Sequence, residues 1–255
     1  MAQIERQLAM LTRFSGSAWE DVASLGGLVV RLPGRGPGYN FAACLRWARD
    51  EVATRLESLS RHFSEMGEWP ALVVADGLTQ PLDLPDRLRA LGWVELERER
   101  ILTTREAPTV PHLSAALRLE AVTARTAPEV QRIEQLVFGL AERYTDARTE
   151  HLAANLETGA LRAYLVRLDG EPVASARLSA ESGLAAISAV GVMPEARGQG
   201  FGSLVTAVAT RAGLAMGNAL VWLSVDERNA PALKVYRRLG YGQSFGWSRW
   251  AAAAK

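Results

Sequence analysis

The stretch MPEARGQGFGSLV, Met193–Val205, is the most informative part of the sequence because a strand pattern ends and a helix pattern begins within it. LAAISAVGV before it predicts a strand, and the apolar residues after it recur at helical spacing until Gly217. Glycines 198, 200 and 202 allow a ligand to approach the backbone closely, and the unpaired N–H groups at a helix start attract anions. The stretch therefore predicts a strand, a glycine loop and a helix that together bind a phosphate.

Two other anion-binding loops fit this stretch poorly. A nucleotide P-loop requires lysine followed by serine or threonine after its last glycine, whereas Phe201 and Ser203 flank Gly202 here. The dinucleotide fingerprint spaces its glycines as Gly-x-Gly-x-x-Gly, whereas these glycines occupy every second position. Neither an NTPase nor a Rossmann dehydrogenase is indicated.

A second stretch, LPGRGPGYN at Leu32–Asn40, has the same spacing of glycines next to arginine. Pro37 removes one N–H donor, and the following YNFAACLRW alternates like a strand and does not begin a helix. We predict a turn between two strands here, without a phosphate site.

The elements around the first loop predict a mixed α/β layer structure. Before it we expect a strand at Ala116–Val122, helices near Pro128–Tyr144 and Thr149–Glu157, and two strands joined by the hairpin turn DGEP. After the loop and its helix we expect the buried strand ALVWLSV, the helix APALKVYRRLGY and the final strand QSFGWSRWAA.

The first half repeats the later part of this order. A long helix is predicted by the spacing of apolar residues at Val52, Leu56, Leu59, Phe63 and Met66, and the strand PALVVAD follows it. Both halves then have a helix ending in Leu-Gly-aromatic, RALGW and RRLGY, and a strand, which indicates a diverged duplication. The alternative is that a glycine-capped helix end followed by an aromatic residue is a common pattern. Two prolines in REAPTVPH place the predicted boundary near residue 110.

The loop Arg197-x-x-Gly200-x-Gly202 after VGVMPEA resembles the acetyl-CoA loop of the GNAT superfamily of N-acetyltransferases. NAPALKVYRRLGY is similar to a second signature of that family, and the resemblance covers most of the second half. It implies an α/β (α+β mixed) fold with a central mixed sheet flanked by helices, in two related domains. Residues 1–110 would be a degenerate GNAT-like domain without the cofactor loop, and residues 111–255 the catalytic domain that binds acetyl-CoA.

The same resemblance implies a role for each matching residue. The backbone of Val190 and Val192 would pair with the pantetheine arm, and one of these N–H groups would polarise the thioester carbonyl. Asn229 would contact the pantetheine, and Tyr236 would protonate the departing thiolate as general acid, the alternative being a core tyrosine. The pyrophosphate would be held by Arg197, Gly198, Gln199, Gly200 and Gly202.

A general base is harder to assign from the sequence. Many relatives carry a glutamate on the strand before the loop, whereas this strand offers only Ser188. Candidates for the acceptor pocket fall in a charged stretch that is usually a solvated connection between helices: Glu142, Tyr144, Asp146, Glu150 and His151.

The resemblance therefore implies an acyl-CoA-dependent N-acyltransferase that moves an acetyl group from acetyl-CoA to a primary amine by direct attack in a ternary complex. The acceptor would be a small-molecule amine or a peptide amino group, and the protein a monomer or homodimer. The alternative from another class is a non-catalytic CoA-binding or interaction protein on the same fold.

Composition argues against several other classes. Lys plus Arg number 29 and Asp plus Glu 28, so no excess charge favours nucleic acid. There is no run of 18 apolar residues and no signal-peptide pattern, and the one cysteine, Cys44, fits a reducing cytoplasm, so we expect a cytoplasmic protein without a membrane segment. The three histidines lack metal-ligand spacing, and no Gly-x-Ser-x-Gly nucleophile elbow occurs, so neither a metal site nor a hydrolase is expected.

Overall fold

The computed structural model describes residues 1–11, 17–32, 39–110, 115–142 and 145–253, which form two compact units. Unit 1 takes its described residues from Met1–Ile101 and Ser244–Lys255, and unit 2 from Leu102–Gln243. Among the described helices, none is both long and apolar enough to span a lipid bilayer.

Unit 1 is a mixed sheet with helices packed on it. Its elements are α1 (Ala2–Met10), β1 (Ala18–Val22), β2 (Gly27–Arg31), β3 (Phe41–Ala43), α2 (Val52–Glu65), β4 (Ala71–Ala75), α3 (Leu84–Ala90), most of β5 (Trp93–Thr104) and most of β11 (Gly242–Ala252). The strand order is β1-β2-β3-β4-β11-β5, with β3 and β4 parallel. The predicted face of the long helix is buried, since Val52, Leu56, Leu59 and Phe63 belong to the core and Met66 packs beside it.

Unit 2 is a second mixed sheet in the order β10-β9-β8-β7-β6. Its elements are β6 (Leu117–Ala121), α4 (Ala127–Phe138), α5 (Thr145–Glu157), β7 (Arg162–Leu168), β8 (Glu171–Glu181), β9 (Leu184–Val192), α6 (Phe201–Ala215), β10 (Leu220–Asp226) and α7 (Ala230–Arg238). β9 and β10 are parallel, and the other neighbours are antiparallel. The predicted turn between β7 and β8 has Asp169 at φ +50° and Gly170 at φ +90°, the left-handed pair that a tight hairpin requires.

Helices cover both faces of the unit 2 sheet. The neighbouring residues Arg177 and Leu178 of β8 point to opposite faces. Arg177 binds Glu134 of α4, whereas Leu178 lies beside Gly213 of α6. The sheet is therefore held between α4 on one side and α6 on the other.

The two units differ from the predicted domains, residues 1–110 and 111–255, in where they place the C-terminal strand. Residues 244–252 of β11 belong to unit 1, where Trp247 is opposite Ala75 and Trp250 is opposite Leu72. The boundary at Ile101/Leu102 falls inside β5, because Leu102 packs in the unit 2 core. The proline-rich stretch near residue 110 thus follows the boundary and does not form it.

Both units contain a parallel strand pair joined through a helix: β3, α2 and β4 in unit 1, and β9, α6 and β10 in unit 2. The glycine loop of unit 2 corresponds by this order to residues 44–51 of unit 1, CLRWARDE, which lack glycine. There Glu51 is the N-cap residue of α2, and its carboxylate accepts a hydrogen bond at 3.3 Å from Ala48 N, which precedes the helix.

The stretch Leu32–Asn40 is therefore not the counterpart of the glycine loop in chain order. It connects β2 and β3, which are antiparallel neighbours. Asn40 joins its two ends, since its Oδ1 accepts from Leu32 N at 2.7 Å and its Nδ2 donates to Leu32 O at 3.0 Å. Residues 33–38, on which the predicted turn depends, lie outside the described residues.

Candidate functional site

The site begins where β9 and β10 separate. Their parallel pairing runs from Leu184 and Leu220 to Ile187 and Leu223, although both strands continue beyond these residues. On its other side β9 has a bulge against β8, and Ala189 within it adopts a left-handed φ of +51°. Bulges bend a strand and increase its twist. The bulge thus coincides with the gap between β9 and β10.

The end of β9 presents N–H groups to this gap. Met193 N donates a hydrogen bond to Val173 O at 2.9 Å, which continues the pairing with β8. Because successive N–H groups of a strand point in opposite directions, those of Val190 and Val192 face away from β8. They point toward the side from which β10 has separated.

The loop after β9 adopts the conformation that its glycines permit. Gly198 and Gly200 have φ of +79° and +88°, and a Cβ built on either would meet no other protein atom within 4 Å. Gly200 is the N-cap of α6, so the N–H groups of the first helical turn, which have no partner within the helix, lie beside these glycines. Gly202 is tighter, since its Cβ would lie 3.4 Å from Val192 Cγ2. The loop forms an open concave surface lined by backbone.

Helix α7 supplies the other wall. Asn229 is its N-cap, and Asn229 Oδ1 accepts from Ala232 N at 3.2 Å, so Nδ2 is the group with which Asn229 can donate to a ligand. Tyr236 is 7% exposed, and burial raises the pKa of its hydroxyl to about 12. The ring of Tyr241 meets it edge-on at 6.1 Å between centroids.

These elements enclose a cavity of about 610 Å³. Eight of the nine predicted site residues line it: Val190, Val192, Arg197, Gly198, Gly200, Gly202, Asn229 and Tyr236. The ninth, Gln199, does not, and its side chain instead donates to Glu195 O at 3.5 Å. The residues named from the family resemblance thus come together in the fold from three separate elements.

Other lining residues were not predicted from the sequence. Pro231, Val235 and Arg238 lie on one face of α7 at spacings of four and three, a periodicity that was available in the sequence. Val137 and Phe138 come from the end of α4, and no local signal connects them with the loop. Among the described lining residues, the charged side chains are Arg197 and Arg238.

A buried ion pair fixes α4 beside the cavity. Arg177 of β8 donates from Nε and Nη2 to the two carboxylate oxygens of Glu134 at 2.6 and 2.7 Å. Arg148 of α5 approaches the same carboxylate to 3.9 Å. Burial raises the pKa of Glu134, and the two guanidinium groups oppose that shift. The helix that supplies Val137 and Phe138 is therefore fastened to the sheet one turn before the cavity wall.

The residues predicted for an acceptor pocket lie elsewhere. Glu142, Asp146, Glu150 and His151 do not line the cavity, and Tyr144 lies outside the described residues. Ser188 is opposite Arg177 in the strand register and is also not part of the lining.

Comparison with known proteins agrees with this architecture. Residues 127–241 match the model of the Acetyltransferase (GNAT) family. No curated protein matches the chain. A GCN5-related N-acetyltransferase from Kribbella flavida is similar in structure over 100% of this chain and 96% of its own, with 23% identity and a TM-score of 0.75.

Two further structures share the fold over most of the chain. A functionally unknown conserved protein from Staphylococcus epidermidis ATCC 12228 is 15% identical, covers 91% of this chain and 92% of its own, and has a TM-score of 0.65. A tandem GNAT protein from the clavulanic acid biosynthesis pathway is 17% identical over 94% of this chain and 84% of its own, with a TM-score of 0.66. The predicted mixed α/β fold is confirmed, and the N-terminal half adopts a GNAT-like sheet fold.

Proposed function

We propose that this chain moves an acetyl group from acetyl-CoA to a primary amine, since residues 127–241 match the model of the Acetyltransferase (GNAT) family. The acceptor would be a small-molecule amine or a peptide amino group, which attacks directly in a ternary complex. The observation that supports this most strongly is the convergence of eight predicted residues on one cavity.

The residues around the cavity fit acetyl-CoA. A side chain at Gly198 or Gly200 would project into open space, so the two glycines leave room for pyrophosphate against the backbone. The N–H groups at the start of α6 and the Arg197 guanidinium are the donors suited to its charge. Asn229 Nδ2 and the backbone of Val190 and Val192 would hold the pantetheine. Acetyl-CoA supplies an activated acetyl thioester.

The chemical step would use two groups of the chain. The N–H of Val190 or Val192 donates to the thioester carbonyl oxygen and stabilises the negative charge that develops there. The neutral amine attacks the carbonyl carbon, the C–S bond breaks as Tyr236 donates its hydroxyl proton to the departing sulfur, and the proton lost by the amine nitrogen passes to water, from which Tyr236 is reprotonated. The raised pKa of Tyr236, about 12, keeps its hydroxyl protonated throughout the neutral pH range. We place this reaction in the cytoplasm, where a free cysteine such as Cys44 stays reduced.

A non-catalytic CoA-binding protein is the second candidate. It is favoured by the lining itself, in which no carboxylate or imidazole occurs among the described residues. Calorimetric titration with CoA, together with mass spectrometry of an amine panel incubated with acetyl-CoA, separates the two. Tight CoA binding with no acetylated amine, and no effect of Tyr236→Phe, would reject the enzyme and retain the binding protein.

For unit 1 we propose a fold without an acetyl-CoA site. Its counterpart of the glycine loop, residues 44–51, carries Glu51, the N-cap residue of α2, so a carboxylate lies beside the start of this helix. A phosphate at this position would meet a like charge. A stoichiometry of one CoA per chain in the calorimetric titration is the expected result, and two would contradict the proposal.

A further inference from the structure

Arg238 is a charged lining residue to which the proposed function gives no role. It occupies the last turn of α7, two residues after Tyr236, and its side chain is exposed along the cavity. Pro231 and Val235 precede it by seven and three residues, so all three share one face of the helix. The neighbouring Arg237 points about 100° away and does not line the cavity.

The charge of Arg238 is available to a ligand. Other arginines of unit 2 hold carboxylates, as Arg167 does with Glu120 and Glu129. For Arg238, no carboxylate of the described residues lies within ion-pair distance. A guanidinium beside an open cavity binds phosphate strongly, since its donors match the geometry of phosphate oxygens.

The proposed cosubstrate carries one phosphate more than the loop is built to hold. The glycine loop, the start of α6 and Arg197 form a single anion-binding surface suited to the pyrophosphate. CoA also has a 3′-phosphate on its ribose, and Arg238 is the second cationic side chain of the cavity, on a different element from Arg197.

Resting on the proposed use of acetyl-CoA, we propose that Arg238 binds the 3′-phosphate and so determines which acyl donor this chain accepts. An acyl group on a carrier protein is attached to phosphopantetheine, which lacks the ribose and its 3′-phosphate. Arg238 would therefore favour free acyl-CoA over both dephospho-CoA and carrier-bound acyl donors. It is a specificity-determining residue and takes no part in the acetyl transfer.

The test compares the binding of CoA and dephospho-CoA to the full chain by calorimetry. The two ligands differ only in the 3′-phosphate, so the ratio of their dissociation constants isolates this one contact. For the wild type we expect dephospho-CoA to bind about 10- to 100-fold more weakly, the range of a charge-assisted hydrogen-bonded pair. Arg238→Met should bring the ratio close to one, and Arg238→Lys should restore part of it.

Arg237→Met is the matched control, because it removes the same charge from the adjacent position outside the cavity lining. It should keep the wild-type ratio. A ratio near one in the wild type, or an unchanged ratio in Arg238→Met, would overturn the assignment, and equal weakening of both ligands would place Arg238 on the pyrophosphate instead. In each of these outcomes CoA still binds and the proposed function stands, whereas failure of both ligands to bind the wild type rejects the proposed function itself.

Discussion

Gly200 is the position where a side chain would compete most directly with a bound phosphate. Its φ of +88° and the open space around it tolerate Asp in the folded chain, since short polar residues enter the left-handed region. We expect Gly200→Asp to weaken acetyl-CoA binding by about two orders of magnitude or more, because a carboxylate would face the pyrophosphate. Calorimetry measures the loss.

A matched control for Gly200 exists at the other end of the same helix. Gly217 follows α6 at φ +83° and also has nothing within 4 Å of its Cβ position. Gly217→Asp imposes similar backbone strain but should leave acetyl-CoA affinity unchanged. Equal affinities in both variants would show that the loop does not hold the pyrophosphate.

Tyr236 and Tyr241 are buried neighbours with different proposed roles. Tyr236→Phe should lower kcat by about 10²- to 10³-fold while the affinity for CoA stays the same, since only the proton donor is lost. Tyr241→Phe removes the hydrogen bond to Thr210 Oγ1 at 2.7 Å and should cost about 1 kcal/mol of stability with little change in kcat. Steady-state kinetics and urea unfolding of both variants check this contrast, and an unchanged kcat in Tyr236→Phe would contradict the general-acid role.

The buried tyrosines also make stability depend on alkaline pH. The pKa of Tyr236 is raised to about 12 in the folded chain, whereas an unfolded tyrosine ionises near its ordinary value of about 10. Above pH 10 the folded state therefore holds more protons than the unfolded state, and the free energy of unfolding must fall as pH rises. Urea titrations at pH 9 to 11.5 should show this fall, and Tyr236→Phe should make it shallower. The same slope in both proteins would refute the assignment.

The strand, glycine loop and helix around Gly200 could be predicted from the sequence because the information that specifies them is local. The preceding strand, the glycines and the following helix all lie within Leu184–Ala215, and each pattern has a direct physical meaning. Three details could not be predicted, because they depend on side-chain directions that spacing alone does not define. Asn229 also caps α7, Gln199 does not line the cavity, and Arg238 does.

At the scale of elements, the Glu134–Arg177 pair decides where α4 lies. Both side chains are almost completely buried, and removing one partner leaves an uncompensated charge. We expect Arg177→Met to lower the free energy of unfolding by about 3–5 kcal/mol. Arg228→Met is the control, because Arg228 pairs with Asp226 at the surface with 79% of its side chain exposed, and should change stability by less than about 0.5 kcal/mol. Similar losses in the two variants would show that the buried pair does not anchor the helix.

This pair also shows why part of the site could not be predicted from the sequence. Glu134 and Arg177 are 43 residues apart, and neither lies in a motif. The helix and the strand that carry them were predicted from periodicity, but their contact arises from how the helix crosses the bulged strand. Gly191 is part of that crossing, since a Cβ there would lie 3.0 Å from Ile133 Cγ2.

At the scale of the whole molecule, the C-terminal strand completes unit 1. Trp250 is 1% exposed and belongs to the same core as Leu72 and Val74 of β4. We expect Trp250→Ala to destabilise this unit by about 3–5 kcal/mol, as large-to-small core substitutions do. Hydrogen exchange followed by mass spectrometry should show the largest loss of protection in Ala71–Ala75. A loss centred instead on Glu171–Val192 would contradict the placement of β11.

The sequence patterns predicted least well where the chain passes from one unit to the other. Prolines near residue 110 predicted a boundary there, yet the boundary lies inside β5, between the neighbouring buried residues Ile101 and Leu102. The final strand was recognised as a strand, but its partner β4 is more than 170 residues earlier in the chain, as the pairing of Trp247 with Ala75 shows. Alternation identifies a strand and does not identify its neighbour.

Acetyl transfer in this cavity can be measured with labelled acetyl-CoA. The full chain is incubated with isotope-labelled acetyl-CoA and a panel of primary amines, and the amines are then analysed by mass spectrometry beside a parallel reaction with Gly200→Asp. We expect labelled acetyl-amine from the wild type and at least about a hundredfold less from the variant at the same acetyl-CoA concentration, set below the wild-type Kd. Equal labelling by the two proteins, or no labelled amine from a wild type that binds acetyl-CoA, would contradict the proposed acetyl transfer.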